Sequence, residues 1–454
     1  MVMNYRQSLE YLYGLTNYEV KSSFAYAPQY FDLRRVETLL EQLGNPHLSY
    51  RTVHVAGTKG KGSTSAILAS MLQSAGYLTG LYTSPHLHSF RERIQVNGEM
   101  ISEEALARWV SQIQPIADQD PELTTFEVAT AVALAYYAEA GVQIAVIEVG
   151  LGGRLDATNV VRPDVTVITT IGHDHMHILG NTLAEIAHEK AGIIKAGVPV
   201  VVAPQEPAAM VVIQQTAHEK EAPLFAVGRL WHWRTTGRDL KCQTFAASSK
   251  PASSASSPVV YRDLCLPLLG KHQMRNAVVA LAVVEALRAQ GTPVSDLAVH
   301  QGMQAVNWPG RFEILEDDPS VVIDGAHNVD SARCLAAALH DYFPEVRPTL
   351  LLAVLADKDI PAILRHLLPG ANAAVLSQSN HPRAADPAII EGYARRYGIP
   401  LEIVPQIPNA LQRAISLAGA SGLVVATGSF ATAGAAREAW LSLHNLPPPP
   451  LDPV

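Results

Sequence analysis

The stretch that decides the fold is RTVHVAGTKGKGSTSAIL, residues 51–68. Residues 51–56 carry the β-branched and apolar side chains of a buried strand. The glycines that follow predict a turn, and the small and apolar run over residues 63–75 predicts a helix packed on a sheet. A strand, a loop and a helix in this order are the unit from which parallel α/β sheets are built.

The turn is rich in glycine and lysine, as phosphate-binding loops are. Glycine lets backbone N–H groups close around a phosphate, and the N-terminus of the following helix favours an anion. Gly62 separates the Gly60-Lys61 pair from Ser63, so the spacing departs from the common P-loop pattern. A glycine turn with solvated lysines is the alternative, but the flanking strand and helix favour nucleotide binding, with Lys61 reaching the outer phosphates. The predicted nucleotide-binding residues are Gly57, Thr58, Lys59, Gly60, Lys61, Gly62 and Ser63.

Length and composition limit the class of protein. A chain of 454 residues with 48% hydrophobic residues is larger than a single core allows, which predicts two domains. The formal net charge of -8 argues against broad nucleic-acid binding. The first residues lack the apolar core of a signal peptide, and no stretch keeps the roughly 18 apolar residues of a membrane span. We therefore expect a cytoplasmic protein.

The cysteines give a similar indication. Cys242, Cys265 and Cys334 are far apart and have no paired spacing. We expect neither a disulfide framework nor a cysteine zinc site, which fits a reducing compartment.

Strands and helices alternate along the whole chain. We predict an α/β fold with a P-loop domain of mostly parallel sheet over residues 1–305 and a smaller α/β domain of mostly parallel sheet over residues 306–454. The alanine- and serine-rich segment 246–258 predicts a flexible surface loop between two strands of the first domain. The prolines at 447–450 predict a frayed tail. Further predicted strands cover residues 144–149, 165–170, 198–202, 321–324, 349–354, 373–376, 401–404 and 423–426, and predicted helices cover 183–194 and 276–290.

Ligand-type side chains follow several predicted strands, at the carboxyl edge where open α/β sheets bind their ligands. They include Ser84, Glu148 and His175. Magnesium prefers hard oxygen donors and retains waters and phosphate oxygens, so a serine hydroxyl and a glutamate suit it, with histidine a less usual ligand. Zinc bound by His173, His175 and His177 is the competing interpretation, but no cysteine or second histidine pair joins them locally. The glycines and charges after Glu148 favour a functional loop there.

These ordered motifs together resemble one family, the folylpolyglutamate and dihydrofolate synthases of the wider Mur ligase superfamily. The resemblance covers nearly the whole chain and implies a Mur-ligase-like pair of domains, in which the first carries ATP, folate and magnesium and the C-terminal glutamate-ligase domain closes over it. The motifs that carry the resemblance are residues 57–63, 83–87, 148–159, 174–175 with 179–180, 189–195, 272–273 with 276–277, and 324–328.

The resemblance implies roles that the residues alone leave open. Ser84, Glu148 and His175 correspond to magnesium ligands, and Lys190, which could otherwise be a helix surface lysine, corresponds to a lysine whose carbamylation helps to hold a second Mg²⁺. The implied catalytic residues are Lys61, Lys190 and His327. The implied further nucleotide contacts are Asn276, Arg311 and Asp324. The implied substrate-binding residues are Thr124, Thr125, Phe126, Glu127, Arg154, Leu155 and Asp156.

The activity that the resemblance implies is ATP-dependent addition of L-glutamate to a tetrahydrofolate, through an acyl phosphate. Residues 124–127 match the family's pterin-side motif only in part, which leaves open whether dihydropteroate is also an acceptor. The expected partners are ATP, L-glutamate and a folate or dihydropteroate, without nucleic acid or membrane. A monomer suffices because both halves of the site lie in one chain.

Two other classes compete with this interpretation. One is a Mur-type peptidoglycan ligase. The Gly62-Ser63 pair at the end of the glycine-rich loop and the motif over residues 189–195 favour a folate substrate instead. The other is a nucleotide-binding regulatory protein that has lost catalysis. That loss is opposed by the joint presence of four residues, Lys61, Glu148, His175 and Lys190.

Overall fold

The computed structural model describes residues 3–18, 31–250, 258–317 and 320–453. The strands are β1 Arg51–Ala56, β2 Thr79–Tyr82, β3 Ile94–Val96, β4 Glu99–Met100, β5 Ile144–Glu148, β6 Val165–Ile168, β7 Val200–Val202, β8 Leu224–Ala226, β9 Trp231–Arg238, β10 Gln243–Ser249, β11 Val260–Leu266, β12 Glu313–Asp317, β13 Ser320–Ile323, β14 Thr349–Leu352, β15 Ala373–Gln378, β16 Leu401–Gln406 and β17 Leu423–Thr427. The α-helices are α1 Tyr5–Gly14, α2 Leu33–Gln42, α3 Lys61–Ser74, α4 Glu103–Ala117, α5 Thr125–Glu139, α6 Met176–Leu179, α7 Leu183–Ala191, α8 Pro207–Glu219, α9 Val227–Leu230, α10 Lys271–Ala289, α11 Asp296–Ala305, α12 Val329–Tyr342, α13 Ile360–Leu367, α14 Pro387–Ala394, α15 Ile407–Ala418 and α16 Phe430–Leu443. Short 3-10 helices are Pro46–Leu48, Phe90–Arg93, Ala157–Val160, Leu368–Gly370 and Arg395–Tyr397.

The first sheet is built around β1, the strand that precedes the glycine-rich loop. Within the described residues it has eight strands in the order β4-β3-β2-β5-β1-β6-β7-β8. β1 pairs in parallel with β5 and β6, while β3 and β4 run antiparallel at one edge. Because β1 lies inside the sheet, the loop after it opens at the carboxyl edge between the ends of two neighbouring strands.

Helices cover both faces of this sheet. Val146 of β5 packs in one core with α3, α10 and α11, and the next residue, Ile147, packs in another with α4 and α5. Successive side chains of a strand point to opposite faces, so a strand covered on both sides is a continuous apolar run. This burial explains why β1 and β5 could be predicted from sequence.

The second large sheet has the same construction. In the described part of the chain its order is β12-β13-β17-β14-β15-β16, with β12 antiparallel and the other pairs parallel. Leu350 packs with α12 and α13 on one face, and Leu351 packs with α15 and α16 on the other. Two α/β domains with mostly parallel sheets are therefore confirmed. The boundary between residues 305 and 306 stays a prediction, and in the structure it follows the end of α11.

The predicted loop over residues 246–258 is wrong in its first part. Residues 246–249 belong to β10, the middle strand of an antiparallel sheet with β9 and β11, and residues 251–257 lie outside the described part of the chain. Phe245 and Ala247 are buried on one side of the strand, and alternate residues point away. Small residues in strict alternation can fill a strand whose backbone is paired on both sides. The prediction that this segment connects two strands is confirmed.

The cysteine prediction is also corrected. Cys242 and Cys265 form a disulfide, with their Cα atoms 5.9 Å apart, and Cys334 is free. The two residues are 23 positions apart in sequence, so spacing gave no signal. The antiparallel pairing of β10 with β11 brings them together.

Element ends differ from the predictions by a few residues. α10 begins at Lys271 rather than 276, and α7 ends at Ala191, before Gly192. The tail after α16 is not frayed throughout, because Pro449 is buried and Asp452 accepts hydrogen bonds from the first domain. Among the described helices, none is long and apolar enough to cross a membrane.

Candidate active site

The glycine-rich loop joins the end of β1 to the start of α3. Gly57 and Gly60 have φ angles of 149° and 87°, which favour glycine. A Cβ atom at Gly57 would collide with Thr169, and one at Gly60 would collide with Asn276. Gly60 is the N-cap of α3 and has no side chain to cap the helix, so the first N–H groups of α3 are available to an anion.

This loop lies on the wall of a cavity of about 1120 Å³. Both domains line the cavity, and it brings together all the predicted site residues except Arg154. We call one part the glycine-loop end, formed by residues 57–63 with Glu148, Lys190 and Arg311. We call the other part the aromatic end, formed by Tyr18, Phe31 and the segments 124–127 and 155–156.

Glu148 is a buried carboxylate at the glycine-loop end. It is 3% exposed, and its Oε1 lies 3.8 Å from Nζ of Lys61. The N–H of Ser84 donates to Oε2 over 3.2 Å. Burial raises the pKa of Glu148, and the nearby Lys61 opposes that rise. Because this carboxylate is buried, a cation that enters the cavity would stabilise its ionised form.

The residue types at this end fit magnesium better than zinc. Among the described residues, no three His, Cys, Asp or Glu side chains are grouped so that they could hold a metal ion. Magnesium keeps waters and phosphate oxygens, so a site in which Ser84 and Glu148 are neighbours fits it. Burial lowers the pKa of His175 to about 4, which leaves a neutral imidazole able to act as a ligand. The side chain of His177 lies outside the described residues.

Lys190 is buried behind the glycine loop. It is 4% exposed, and its Nζ donates to the carbonyl of Gly57 over 3.0 Å. Burial, together with the positive charge of Lys61, lowers the pKa of Lys190 to about 7. Near neutral pH a substantial fraction of this amine is therefore uncharged and nucleophilic.

Asp174 connects the two domains at this end. Its Oδ2 accepts hydrogen bonds from Nζ of Lys59 over 2.6 Å and from Nδ2 of Asn328, in the second domain, over 2.7 Å. Burial would raise the pKa of Asp174, but Lys59, with His175 and His327, holds that pKa far below its ordinary value. Asp174 is therefore a permanent anion between the glycine loop and the second domain.

The second domain contributes a cation to the same cavity. Arg311 lies over the ring of Phe430, with its guanidinium carbon 4.3 Å from the ring centroid. Burial lowers the pKa of Arg311, and the carboxylates of Asp324 and Glu148 oppose this. An enclosed guanidinium is suited to phosphate oxygens.

Other predicted nucleotide contacts have hydrogen bonds within the protein. Asp324 accepts from the backbone N–H groups of Phe312 and Ala326, and its pKa is raised by burial. Asn276 donates to Gln273. His327 Nδ1 lies 2.9 Å from the Gly325 carbonyl, so this nitrogen carries the proton and Nε2 is an acceptor. Burial lowers the pKa of His327 to about 3, so the ring is neutral.

At the aromatic end, several predicted substrate-binding residues serve the fold. Thr124 is the N-cap of α5 and forms a capping box with Glu127. The hydroxyl of Thr125 donates to the carbonyl of Leu12 over 2.7 Å. Phe126 packs so closely on Gly150 that a Cβ there would come within 2.6 Å of its ring. All four residues of segment 124–127 still line the cavity.

In the segment after Glu148, the predicted substrate-binding residues also differ in what their side chains contact. Asp156 is buried and accepts from the N–H groups of Leu151 and Thr158 and from the Thr158 hydroxyl. Leu155 faces the cavity. Arg154 does not line it; its guanidinium pairs with Glu189 over 2.9 Å.

Some cavity residues were missed by the sequence analysis. Tyr18 and Phe31 pack against each other with ring centroids 4.9 Å apart, and no local motif marked them. Lys358 and Arg383 both pair with Asp357 on the wall formed by the second domain. These residues follow β14 and β15, so their position at the carboxyl edge of a parallel sheet was a usable signal.

Family comparisons identify the class first. Residues 55–284 match the Mur ligase middle domain, and residues 310–430 match the Mur ligase glutamate ligase domain. With the two sheets and the interdomain cavity, these matches define an ATP-dependent ligase of the Mur ligase type.

Individual relatives then define the family. The chain is 38% identical over 396 residues to the dihydrofolate synthase/folylpolyglutamate synthase of Bacillus subtilis, covering 85% of this chain and 87% of the relative. It is 36% identical to the Mycobacterium tuberculosis enzyme of the same name, with 89% of each chain covered. The chain belongs to the folylpolyglutamate and dihydrofolate synthase family.

Solved structures agree with this assignment. The Mycobacterium tuberculosis folylpolyglutamate synthase complexed with ADP superposes with a TM-score of 0.85 at 34% identity, covering 98% of this chain and 99% of that one. The E. coli FolC structure in complex with DHPP and ADP gives a TM-score of 0.82 at 31% identity, covering 97% and 99%. The shared fold extends over both domains.

Proposed function

We propose that this chain adds L-glutamate to tetrahydrofolate in an ATP- and magnesium-dependent reaction. The observation that carries the proposal is a single cavity that joins a glycine loop, the Glu148 carboxylate, the buried Lys190 amine and Arg311 of the second domain. Phosphate groups fit the glycine loop, and a pterin ring fits the aromatic end beside Tyr18 and Phe31. Solved relatives are named as complexes with ADP, which supports a nucleotide as one ligand of this chain.

The reaction proceeds in two steps. An oxygen of the folate carboxylate attacks the γ-phosphorus of ATP, and ADP leaves, giving an acyl phosphate. The amine of glutamate then attacks the acyl carbon, phosphate leaves with one former carboxylate oxygen, and the amine loses a proton. Lys61 and Arg311 both line the glycine-loop end, and their proposed role is to stabilise the negative charge that develops on the transferred phosphate, which lowers the barrier.

Magnesium would be held by Ser84, Glu148 and His175, and when bound it supplies charge neutralisation for the phosphate oxygens. Lys190 is proposed to react through its neutral amine with CO₂, forming an N–C bond and releasing one proton. The resulting carbamate is an anion, which would suit a second Mg²⁺. Support comes from the lowered pKa of Lys190, since only an unprotonated amine can react.

The glutamate substrate is an anion at both carboxylates. Lys358 and Arg383 are cations of the second domain on the cavity wall, and we propose that they receive these carboxylates. The proposed role of His327, which lines the cavity, is to accept a hydrogen bond from the attacking amine at Nε2. Domain closure, with Asp174 bonded to Asn328, would exclude water from the acyl phosphate.

Dihydropteroate is proposed as a second acceptor. The relatives from Bacillus subtilis and Mycobacterium tuberculosis carry both activities in their names, and they match most of this chain. Segment 124–127, which only partly matches the family motif, still lines the aromatic end. The cytoplasmic location, the monomeric state and the absence of nucleic-acid partners stay predictions from the sequence.

The test is ATP-dependent incorporation of labelled glutamate with tetrahydrofolate, dihydropteroate or a muramyl nucleotide as acceptor. We expect incorporation into tetrahydrofolate and dihydropteroate and none into the muramyl nucleotide. Incorporation into the muramyl acceptor alone would move the protein to the cell-wall ligases. ATP binding without incorporation into any acceptor would support a regulatory role.

A further inference from the structure

The last described residues return to the first domain. α16 ends at Leu443, and four prolines at 447–450 follow. Consecutive prolines favour an extended conformation of about 3.1 Å per residue, so this segment is a stiff spacer. Pro449 is buried, and beyond it the chain brings Asp452 against the first domain.

Three donors of the first domain converge on the Asp452 carboxylate. The hydroxyl of Tyr5 donates to Oδ1 over 2.5 Å, and the hydroxyl of Ser89 donates to the same oxygen over 2.8 Å. The backbone N–H of Phe90 donates to Oδ2 over 2.9 Å. Ser89 is 0% exposed and Phe90 is 1% exposed, so water is a poor substitute for this acceptor.

Two of these donors, Ser89 and Phe90, belong to the loop that carries Ser84, whereas Tyr5 lies on α1. Glu92 accepts hydrogen bonds from the N–H groups of Leu87, His88 and Ser89, over 2.7, 2.8 and 2.9 Å. The loop is therefore one hydrogen-bonded unit, with Asp452 bound where the loop enters the 3-10 helix Phe90–Arg93. Arg93 of that helix donates to Nδ1 of His86 and accepts from the N–H of Thr83, so a movement of the unit would reach the residues on both sides of Ser84.

The second domain holds the same loop from another side. Nη1 of Arg437, on α16, lies 3.5 Å from Nε2 of His88. Gly434 is so close that a Cβ there would come within 2.7 Å of the Leu87 carbonyl oxygen. α16 and the tail that follows it thus contact two points of one loop.

We infer that Asp452 is a positioning residue for the ligase reaction: its carboxylate fixes the loop over residues 84–89 and so keeps Ser84 beside Glu148. The inference rests on the proposed role of Ser84 as a magnesium ligand. It gives the C-terminal tail a part in binding MgATP that the sequence of prolines did not suggest.

The chain offers a matched control. The hydroxyl of Tyr11, on the same helix as Tyr5, donates to Oδ1 of Asp118 over 2.9 Å. That pair has the same chemistry but is exposed, and it joins α1 to the residue that follows α4. Asp452→Asn and Asp452→Ala would therefore be compared with Asp118→Asn.

The experiment combines hydrogen exchange of the peptide over residues 84–93 with steady-state kinetics at varied MgATP. For both Asp452 variants we expect faster exchange in this peptide and a KM for MgATP raised about tenfold, because small displacements of a binding group weaken a site steeply. The KM for L-glutamate should match the wild type, whereas the melting temperature should fall in both variants, most in Asp452→Ala, because buried donors lose their acceptor. Asp118→Asn should leave every quantity unchanged.

Two results would overturn the inference. One is exchange in the 84–93 peptide equal to that of the wild type. The other is faster exchange with an unchanged KM for MgATP, which would make the contact purely structural. If the wild-type chain itself lacks ligase activity, the proposed function fails. The dissociation constant of MgATP, measured by calorimetry, then takes the place of KM. This constant tests the role of Asp452 without turnover.

Discussion

The two ends of the cavity use their polar residues differently. At the glycine-loop end, Glu148, Lys190 and Arg311 are charged groups whose pKa values are displaced by burial. At the aromatic end, Thr124 and Asp156 cap helices; burial raises the pKa of Asp156 as well, but its carboxylate accepts hydrogen bonds from Leu151 and Thr158. A buried charge that the fold does not satisfy points to a ligand, while a satisfied polar group points to the fold. The predictions below test that contrast.

The largest effect is expected at Lys61. Lys61→Ala should lower kcat/KM for ATP about 10³-fold, because it removes a cation from the position of the transferred phosphate. The melting temperature should not fall, since the only ion pair of Lys61 among the described residues is the 3.8 Å contact with Glu148. Glutamate incorporation and thermal unfolding measure the two quantities, with exposed Lys220→Ala as control. Turnover near the wild-type level would remove Lys61 from the site.

Lys190→Met should give the next largest loss, about 10²-fold in turnover. This substitution should also change how the free energy of unfolding depends on pH. The folded chain releases the Lys190 proton near pH 7, whereas the unfolded chain holds it to an ordinary pKa of 10.5. The unfolded state therefore binds more protons between these values, and stability from this group rises with pH across that window.

Denaturant unfolding at several pH values checks this pH dependence. Lys190→Met should flatten the rise in stability above pH 7, and added bicarbonate should stimulate the wild type but not the variant. An identical pH slope in both proteins would show that Lys190 is not a buried amine of lowered pKa.

Glu127→Ala should act on stability rather than on catalysis. Glu127 accepts from the N–H of Thr124 in the capping box of α5, and loss of such a cap costs about 1–2 kcal/mol. The KM for the folate acceptor should change less than about twofold, because the carboxylate is used by the helix. Urea unfolding and acceptor titration measure these effects. A large rise in acceptor KM at wild-type stability would assign Glu127 to the substrate.

The smallest effect is expected at Arg154. Its side chain is 40% exposed and pairs with Glu189, and such pairs contribute about 0.2–1 kcal/mol. Arg154→Lys should therefore leave both the melting temperature and the folate KM close to wild type. A tenfold loss of folate affinity would instead show that Arg154 turns into the cavity when substrate binds.

The same contrast explains how much could be predicted from sequence. β1, the glycine loop and α3 were predicted because apolar runs and glycines are local signals. The disulfide between Cys242 and Cys265 and the strand over residues 246–249 depend on antiparallel partners far along the chain, which no local pattern records.

The site residues also differ in whether they could be predicted from local sequence. Motif matching found nearly every residue at the glycine-loop end, but it could not separate the capping role of Thr124 from a substrate contact. Tyr18 and Phe31 meet only through the fold, and Asp452 reaches the Ser84 loop only because the tail folds back. Each of these depends on contacts between segments that are distant in sequence.

The most direct measurement uses tetrahydrofolate labelled with heavy oxygen in the reacting carboxylate, incubated with MgATP and L-glutamate. Mass analysis of the released phosphate follows the label. If the cavity forms an acyl phosphate at its glycine-loop end, one heavy oxygen appears in the phosphate for each amide formed, and none appears with Lys61→Ala. Amide formation with all the label left on carbon would contradict the acyl phosphate.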